Sequence, residues 1–98
     1  MITVTLAIPA DHPAFAGHFP GRPIVPGVVL LDLAYQAIVE ATRIAPIGLS
    51  VAKFHCPAGP GAALQLDIEP SGDVVRFVIR EGARKVADGK FLLPESAV

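Results

Sequence analysis

Only one cysteine, Cys56, stands among 98 residues. No internal disulfide can form, and a reducing compartment is expected. Charge is also scarce, at 17% of residues against about 25% in an ordinary soluble domain. The net charge of −1 carries no basic excess, which argues against a nucleic-acid binder. Met1-Ile2-Thr3-Val4-Thr5 has no basic n-region and no signal-peptide core. The longest apolar run without a charge, Pro23 to Leu31, is too short to span a bilayer. A cytoplasmic protein without a membrane span is therefore expected. No serine occupies a Gly-x-Ser-x-Gly elbow, and the glycines form no phosphate-binding pattern. His12, His18 and His55 are separated by 6 and 37 residues, which fits no standard zinc spacing. Neither a metal nor a cofactor is expected.

What is plentiful is apolar surface, at 52% of residues. The length suits a single domain spanning residues 1–98. A domain this small buries a limited share of its surface and often gains stability by oligomerising. A subunit interface is the simplest destination for the apolar excess.

Ile2, Val4, Leu6 and Ile8 alternate with Thr3, Thr5 and Ala7, the period of a strand with one buried face. A long loop from Asp11 to Pro26 follows, braced by Pro13, Pro20, Pro23 and Pro26. Pro26-Gly27 opens a helix expected to run to about Arg43 and to be stopped by Pro46. Asp32, Gln36 and Glu40 form one narrow polar stripe on it. Its other residues are apolar, so burial nearly all round is expected. Strands are expected at Gly48–Cys56 and around Leu64–Glu69. Pro70-Ser71-Gly72-Asp73 reads as a hairpin turn. The returning strand is expected to start at Val75 and continue to about Val86, with an irregularity at Gly82. Asp88-Gly89 reads as a further hairpin turn, leaving Lys90–Leu93 as a short last strand. One apolar helix against an antiparallel sheet is an α+β arrangement. Such a sheet covers only part of the helix, and a symmetric second copy is the default cover for the rest.

Two groups in this frame can move protons. His18 is a lone histidine in the proline-braced loop, and Asp32 is an acid in an apolar helix 14 residues later. Taken alone, a loop histidine is usually bonded to backbone, and a helix acid usually faces solvent or pairs with a base. The apolar neighbours of Asp32 argue against exposure, and a buried carboxyl is shifted towards its protonated form unless paired. Gln36, one turn on, is placed either to orient Asp32 or simply to be buried. Gly27 and Val28 supply helix-start N–H groups without intrahelical partners, suited to a substrate oxygen that gains negative charge. An ordinary Pro-Gly helix start weighs equally. Glu40, His12 and His55 read as structural or surface residues. Adjacent strand residues point to opposite faces, so His55 and Cys56 are not expected to pair. Arg22, Arg43 and Lys53 read as solvated charge or as contacts to an acidic carrier.

The stretch Gly17-His18-Phe19-Pro20-Gly21-x-Pro23-x-x-Pro26-Gly27-Val28 resembles the signature loop of the β-hydroxyacyl-acyl-carrier-protein dehydratases. Asp32-Leu33-Ala34-Tyr35-Gln36 is similar to their acid-to-glutamine helix segment. Lys53-Phe54 with Pro57, Pro60 and Gly61 is similar to their next strand and its turn. Val86-Ala87-Asp88-Gly89-Lys90 resembles their final hairpin. Aspartate replaces the glutamate of the broad-specificity branch. Together with the His-Phe-Pro-Gly loop, it is most similar to a compact ApeI-like branch associated with aryl-polyene and related polyketide-like pathways.

The resemblance implies a hotdog fold, an antiparallel sheet wrapped around one central buried helix. It implies a homodimer with the His18 of one subunit facing the Asp32 of the other, and leaves higher assembly open. The implied reaction is dehydration of β-hydroxyacyl thioesters, linked to an acyl carrier protein or CoA, to trans-2-enoyl thioesters. His18 would remove the α-proton, Asp32 would protonate the departing hydroxyl, and Gly27, Val28 and Gln36 would hold the substrate. A hotdog thioesterase and a non-catalytic acyl or carrier binding module are the rival readings.

Overall fold

The computed structural model describes residues 1–8, 24–59 and 61–95. The elements follow from alternation and turn chemistry. They are β1 (Ile2–Ala7), α1 (Gly27–Thr42), β2 (Gly48–Phe54), β3 (Ala63–Ser71), β4 (Val74–Glu81) and β5 (Arg84–Leu92). The strands form one antiparallel sheet in the order β1-β3-β4-β5-β2. β1 and β2 occupy opposite edges, so the connection holding α1 carries the chain from one edge to the other.

One face of the sheet makes the core. Leu64, Leu66 and Ile68 on β3 lie beside Val75, Phe77 and Ile79 on β4, with Ala87 and Phe91 on β5, all buried. Registers such as Leu66↔Ile79 and Phe77↔Gly89 keep these side chains on one face, because strand side chains alternate with a period of two. Leu30, Ala34 and Ile38, spaced four apart, are the fully buried face of α1. Tyr35 meets Phe91 edge-on with ring centroids 5.8 Å apart, and its hydroxyl donates to the Pro46 carbonyl at 3.1 Å. This arrangement is the hotdog fold.

Two expectations fail. The helix is not buried nearly all round in the single chain. Val28 is 72% exposed, and Val29, Leu31, Leu33, Tyr35 and Ala37 are half-buried against the core. One sheet can reach only one side of a helix, and the far side stays open. The Asp88-Gly89 turn is the second. The reversal occurs at Gly82-Ala83, where Gly82 adopts φ +60°, so β4 ends at Glu81 and β5 runs from Arg84. Positive φ at the first loop residue only is the type II′ pattern, and Gly72 at φ +64° repeats it between β3 and β4. Gly89 lies inside β5 for another reason: a Cβ there would stand 2.1 Å from the Val51 carbonyl oxygen and 2.8 Å from the Phe77 ring. A strand-interior glycine of this kind marks close backbone approach, not a turn.

Candidate active site

Helix α1 begins without a side-chain cap. Pro26 is its N-cap, with φ −59° and ψ 144°. The Val29 and Leu30 N–H groups bond to the Pro26 carbonyl at 3.0 and 3.3 Å. Among the described residues, the Gly27 and Val28 N–H groups have no backbone partner. They remain free to meet an electron-rich oxygen at the positive end of the helix.

This helix start borders a cleft of about 470 Å³ lined by Val25, Gly27, Leu30, Phe54, His55 and Cys56, among others. The segment entering the helix is pinned there, because the Val25 N–H donates to the Ala58 carbonyl at 2.8 Å. A Cβ at Gly27 would come within 2.8 Å of the Phe54 ring, which would have to swing aside. The Val28 side chain points to solvent and does not line the cleft.

Asp32 and Gln36 are brought together. The Gln36 amide donates to Asp32 Oδ2 at 2.8 Å, the one-turn contact their spacing predicts. The pair is exposed, contrary to the shielding expected for Asp32. Asp32 sits two residues from both Leu30 and Ala34, about 200° around the helix axis from the face that packs on the sheet. It also lies about 140° around the axis from Gly27, and it does not line the cleft at the helix start. His18 lies outside the described residues, as do His12 and Arg22. Glu40, Arg43 and Lys53 are exposed.

One pairing escaped the sequence reading. His55 Nε2, just past the end of β2, and Asp88 Oδ2 on β5 are 2.6 Å apart, with Lys85 Nζ 3.6 Å from the same oxygen. The His55 hydrogen bond holds the Asp88 carboxyl below its usual range against a smaller opposing effect of burial, with a lesser pull from the Lys85 charge. Placing Asp88 in a turn hid this contact. Read as mid-strand, Asp88 lies opposite Lys53, with His55 two residues further along. Cys56 donates its thiol to the Lys85 carbonyl at 3.0 Å and does not pair with His55.

Residues 1–90 match the family model of the ApeI dehydratase. The chain belongs to the ApeI-like dehydratase family. It is 35% identical to the 3-hydroxyacyl-acyl-carrier-protein dehydratase FabZ of Rhizorhabdus wittichii, over 89% of this chain and 62% of that protein. It is 34% identical to the Myxococcus xanthus FabZ, over 93% of this chain and 70% of that one. The chain thus spans less than two thirds of the first of these relatives. Among solved structures, the dehydratase heterocomplex ApeI:P from Xenorhabdus doucetiae superposes with a TM-score of 0.80 at 25% identity, covering 93% of this chain and 84% of that one. The fluoroacetyl-CoA thioesterase FlK shares the fold, with a TM-score of 0.65 at 11% identity. Within the ApeI-like family match lie the whole Gly17–Val28 loop, Asp32 and Gln36.

Proposed function

We propose that this chain dehydrates β-hydroxyacyl thioesters, carried by an acyl carrier protein or CoA, to trans-2-enoyl thioesters. The family match over residues 1–90 carries the reading, because it spans both proton-moving groups. His18 takes the α-proton next to the thioester carbonyl. The carbonyl oxygen gains enolate charge and is held by the Gly27 and Val28 N–H groups. Asp32, oriented by Gln36, gives its proton to the β-hydroxyl, and the C–O bond breaks with release of water. Neither a metal nor a redox cofactor has a part in this scheme. Synthesis of fatty-acid or polyketide-like chains by a soluble cytoplasmic enzyme fits the activity.

The site requires a second copy of the chain. Asp32 and the Gly27 cleft face different directions in one chain, and a dimer would bring the Asp32 of one subunit to the His18 of the other. Edge strand β2 supports this assembly, since among the described residues one side of it is unpaired and large apolar side chains are exposed at both of its ends. Ile47 is 69% and Leu49 44% exposed at its start, and Phe54 is 51% exposed at its end, where the ring lies against Gly27 at the helix start. Covering the helix face takes Asp32 out of water, which favours the protonated form needed to donate. The heterocomplex of the X. doucetiae relative favours a second reading, with a related hotdog chain in place of the second copy. A purified chain that stays monomeric supports that alternative.

The test is the ultraviolet absorbance of the enoyl thioester on incubation with short and medium β-hydroxyacyl thioesters. Absorbance that disappears in His18→Ala and in Asp32→Ala, with both variants folded, is expected. Release of free thiol without that absorbance would make the protein a thioesterase instead.

A further inference from the structure

The cleft at the helix start has a wall made by the segment that leaves β2. Phe54, His55, Cys56, Pro57 and Ala58 all line it, and β2 itself ends at Phe54. Both ends of this wall touch the helix start. The Phe54 ring lies against Gly27. The Ala58 carbonyl accepts the Val25 N–H at 2.8 Å, one residue before the Pro26 N-cap. The place of the free Gly27 and Val28 N–H groups therefore depends on where the wall stands. Beyond Phe54 the β2–β5 ladder no longer fixes it, and other groups of β5 do so. The Val86 carbonyl accepts the His55 N–H at 2.8 Å, and the Lys85 carbonyl accepts the Cys56 thiol at 3.0 Å. The His55 side chain adds the shortest of these contacts, 2.6 Å from Nε2 to Asp88 Oδ2.

Chemistry fixes the direction of that bond. A carboxylate only accepts, so Nε2 carries the hydrogen and donates it. The bond therefore forms with the ring neutral or charged. Asp88 keeps its charge well below neutral pH, because the His55 bond holds its carboxyl below the usual range. Lys85 adds its charge 3.6 Å from the same oxygen. Lys53, Arg76 and Lys90 are the other charged side chains around the ring, and none offers it a rival acceptor. With side chains 39% and 25% exposed, the pair contributes little to stability. Its leverage lies in its position. A misplacement of about 1 Å in a site costs about a hundredfold in rate, even when its cause lies away from the chemistry.

We infer that His55, braced by Asp88, is a positioning residue for the reaction: it holds the wall that sets the Gly27 and Val28 N–H groups. The inference rests on the dehydratase reading above and names what keeps its carbonyl site in place. His55 touches no reacting atom in this scheme. Its bond runs inward to β5, on the paired side of β2, so it needs no open surface. A second copy on the free edge leaves it intact.

The experiment uses one β-hydroxyacyl N-acetylcysteamine thioester, which carries neither phosphate nor protein, and measures kcat and KM separately. It compares the unaltered chain with His55→Ala, Asp88→Ala, the double variant and His55→Gln. kcat should fall about tenfold to a hundredfold in each alanine variant. KM should stay within about twofold, because the N–H groups meet a charge that develops only in the transition state. The double variant should lose no more than either single one, as partners in one contact do. His55→Gln should recover most of kcat, since its amide can donate to Asp88. Melting temperatures should stay within a few degrees of the unaltered chain. Unchanged kcat, losses that multiply in the double variant, a change in KM alone, or no recovery with glutamine would overturn the assignment. So would a fall in melting temperature that tracks the loss of kcat. Amide exchange gives a readout independent of turnover. Protection of the Val25 N–H should fall about tenfold in both single alanine variants, while amides of β3 and β4 keep theirs. Unchanged protection at Val25 would refute the brace. If no thioester turns over, the dehydratase reading fails by itself, and exchange at Val25 alone decides whether the pair holds the wall.

Discussion

A methyl group at position 89 would stand 2.1 Å from the Val51 carbonyl oxygen and 2.8 Å from the Phe77 ring. Neither strand can move aside without breaking the β2–β5 ladder. Gly89→Ala is therefore predicted to destabilise the fold by about 3 kcal/mol or more, read from the urea midpoint. Gly27→Ala should cost less, about 1 kcal/mol, because the ring it meets belongs to half-exposed Phe54. Acid sensitivity also sits at single residues. The Arg80 hydrogen bond holds Asp67 below its ordinary value against a smaller opposing effect of burial, with Thr3 also bonded. Asp88 is lowered chiefly by His55. A folded value below the unfolded one gives stability that is fully present above the unfolded carboxylate value. That stability is lost as pH falls through the folded value. Urea midpoints should thus drop as pH falls below the ordinary carboxylate value of about 4. Asp67→Asn should flatten the slope, and an unchanged slope would contradict it. Both pairs are partly exposed, so screening keeps the effect small. The Asp32–Gln36 contact was legible from four-residue spacing alone. The exposure of Asp32 was not, because composition shows that a helix is apolar without showing which side the sheet reaches.

At the scale of elements, α1 ends with Arg43 in the left-handed region, at φ 61° and ψ 19°, its N–H bonded to the Val39 carbonyl at 2.8 Å. A side chain is strained there and glycine is not. Arg43→Gly should stabilise the chain by about 0.5–1 kcal/mol, raising Tm by a few degrees. A lower Tm would show that the Arg43 side chain makes contacts worth more than the strain. β1, α1 and β3 were legible to within a residue or two, since their apolar periods are unbroken and Pro26-Gly27 marks the helix start. The β4–β5 hairpin was misplaced for a physical reason. Gly82-Ala83 and Asp88-Gly89 are both short turn-like pairs. Only the sheet shows that the first needs positive φ and the second needs room for the Val51 carbonyl. That shift by six residues also concealed the His55–Asp88 pair.

Across the whole molecule, the fold leaves two unlike surfaces open. One is the apolar margin of β2 with the outer side of α1, and the other is the basic face over β4, β5 and β2. The first fits the second copy proposed above. Sedimentation should show a dimer. Leu49→Glu, on the half-exposed β2 edge, should shift it towards monomer and lower activity with it. A monomeric variant with full activity would place both proton-moving groups in one chain. The most direct measurement mixes His18→Ala with Asp32→Ala after unfolding and refolding the two inactive variants together. A site built from the His18 of one copy and the Asp32 of the other leaves one intact site in every mixed dimer. About one quarter of the unaltered activity should then return from random pairing. No recovery, with mixed dimers demonstrably formed, would contradict a site shared between two copies.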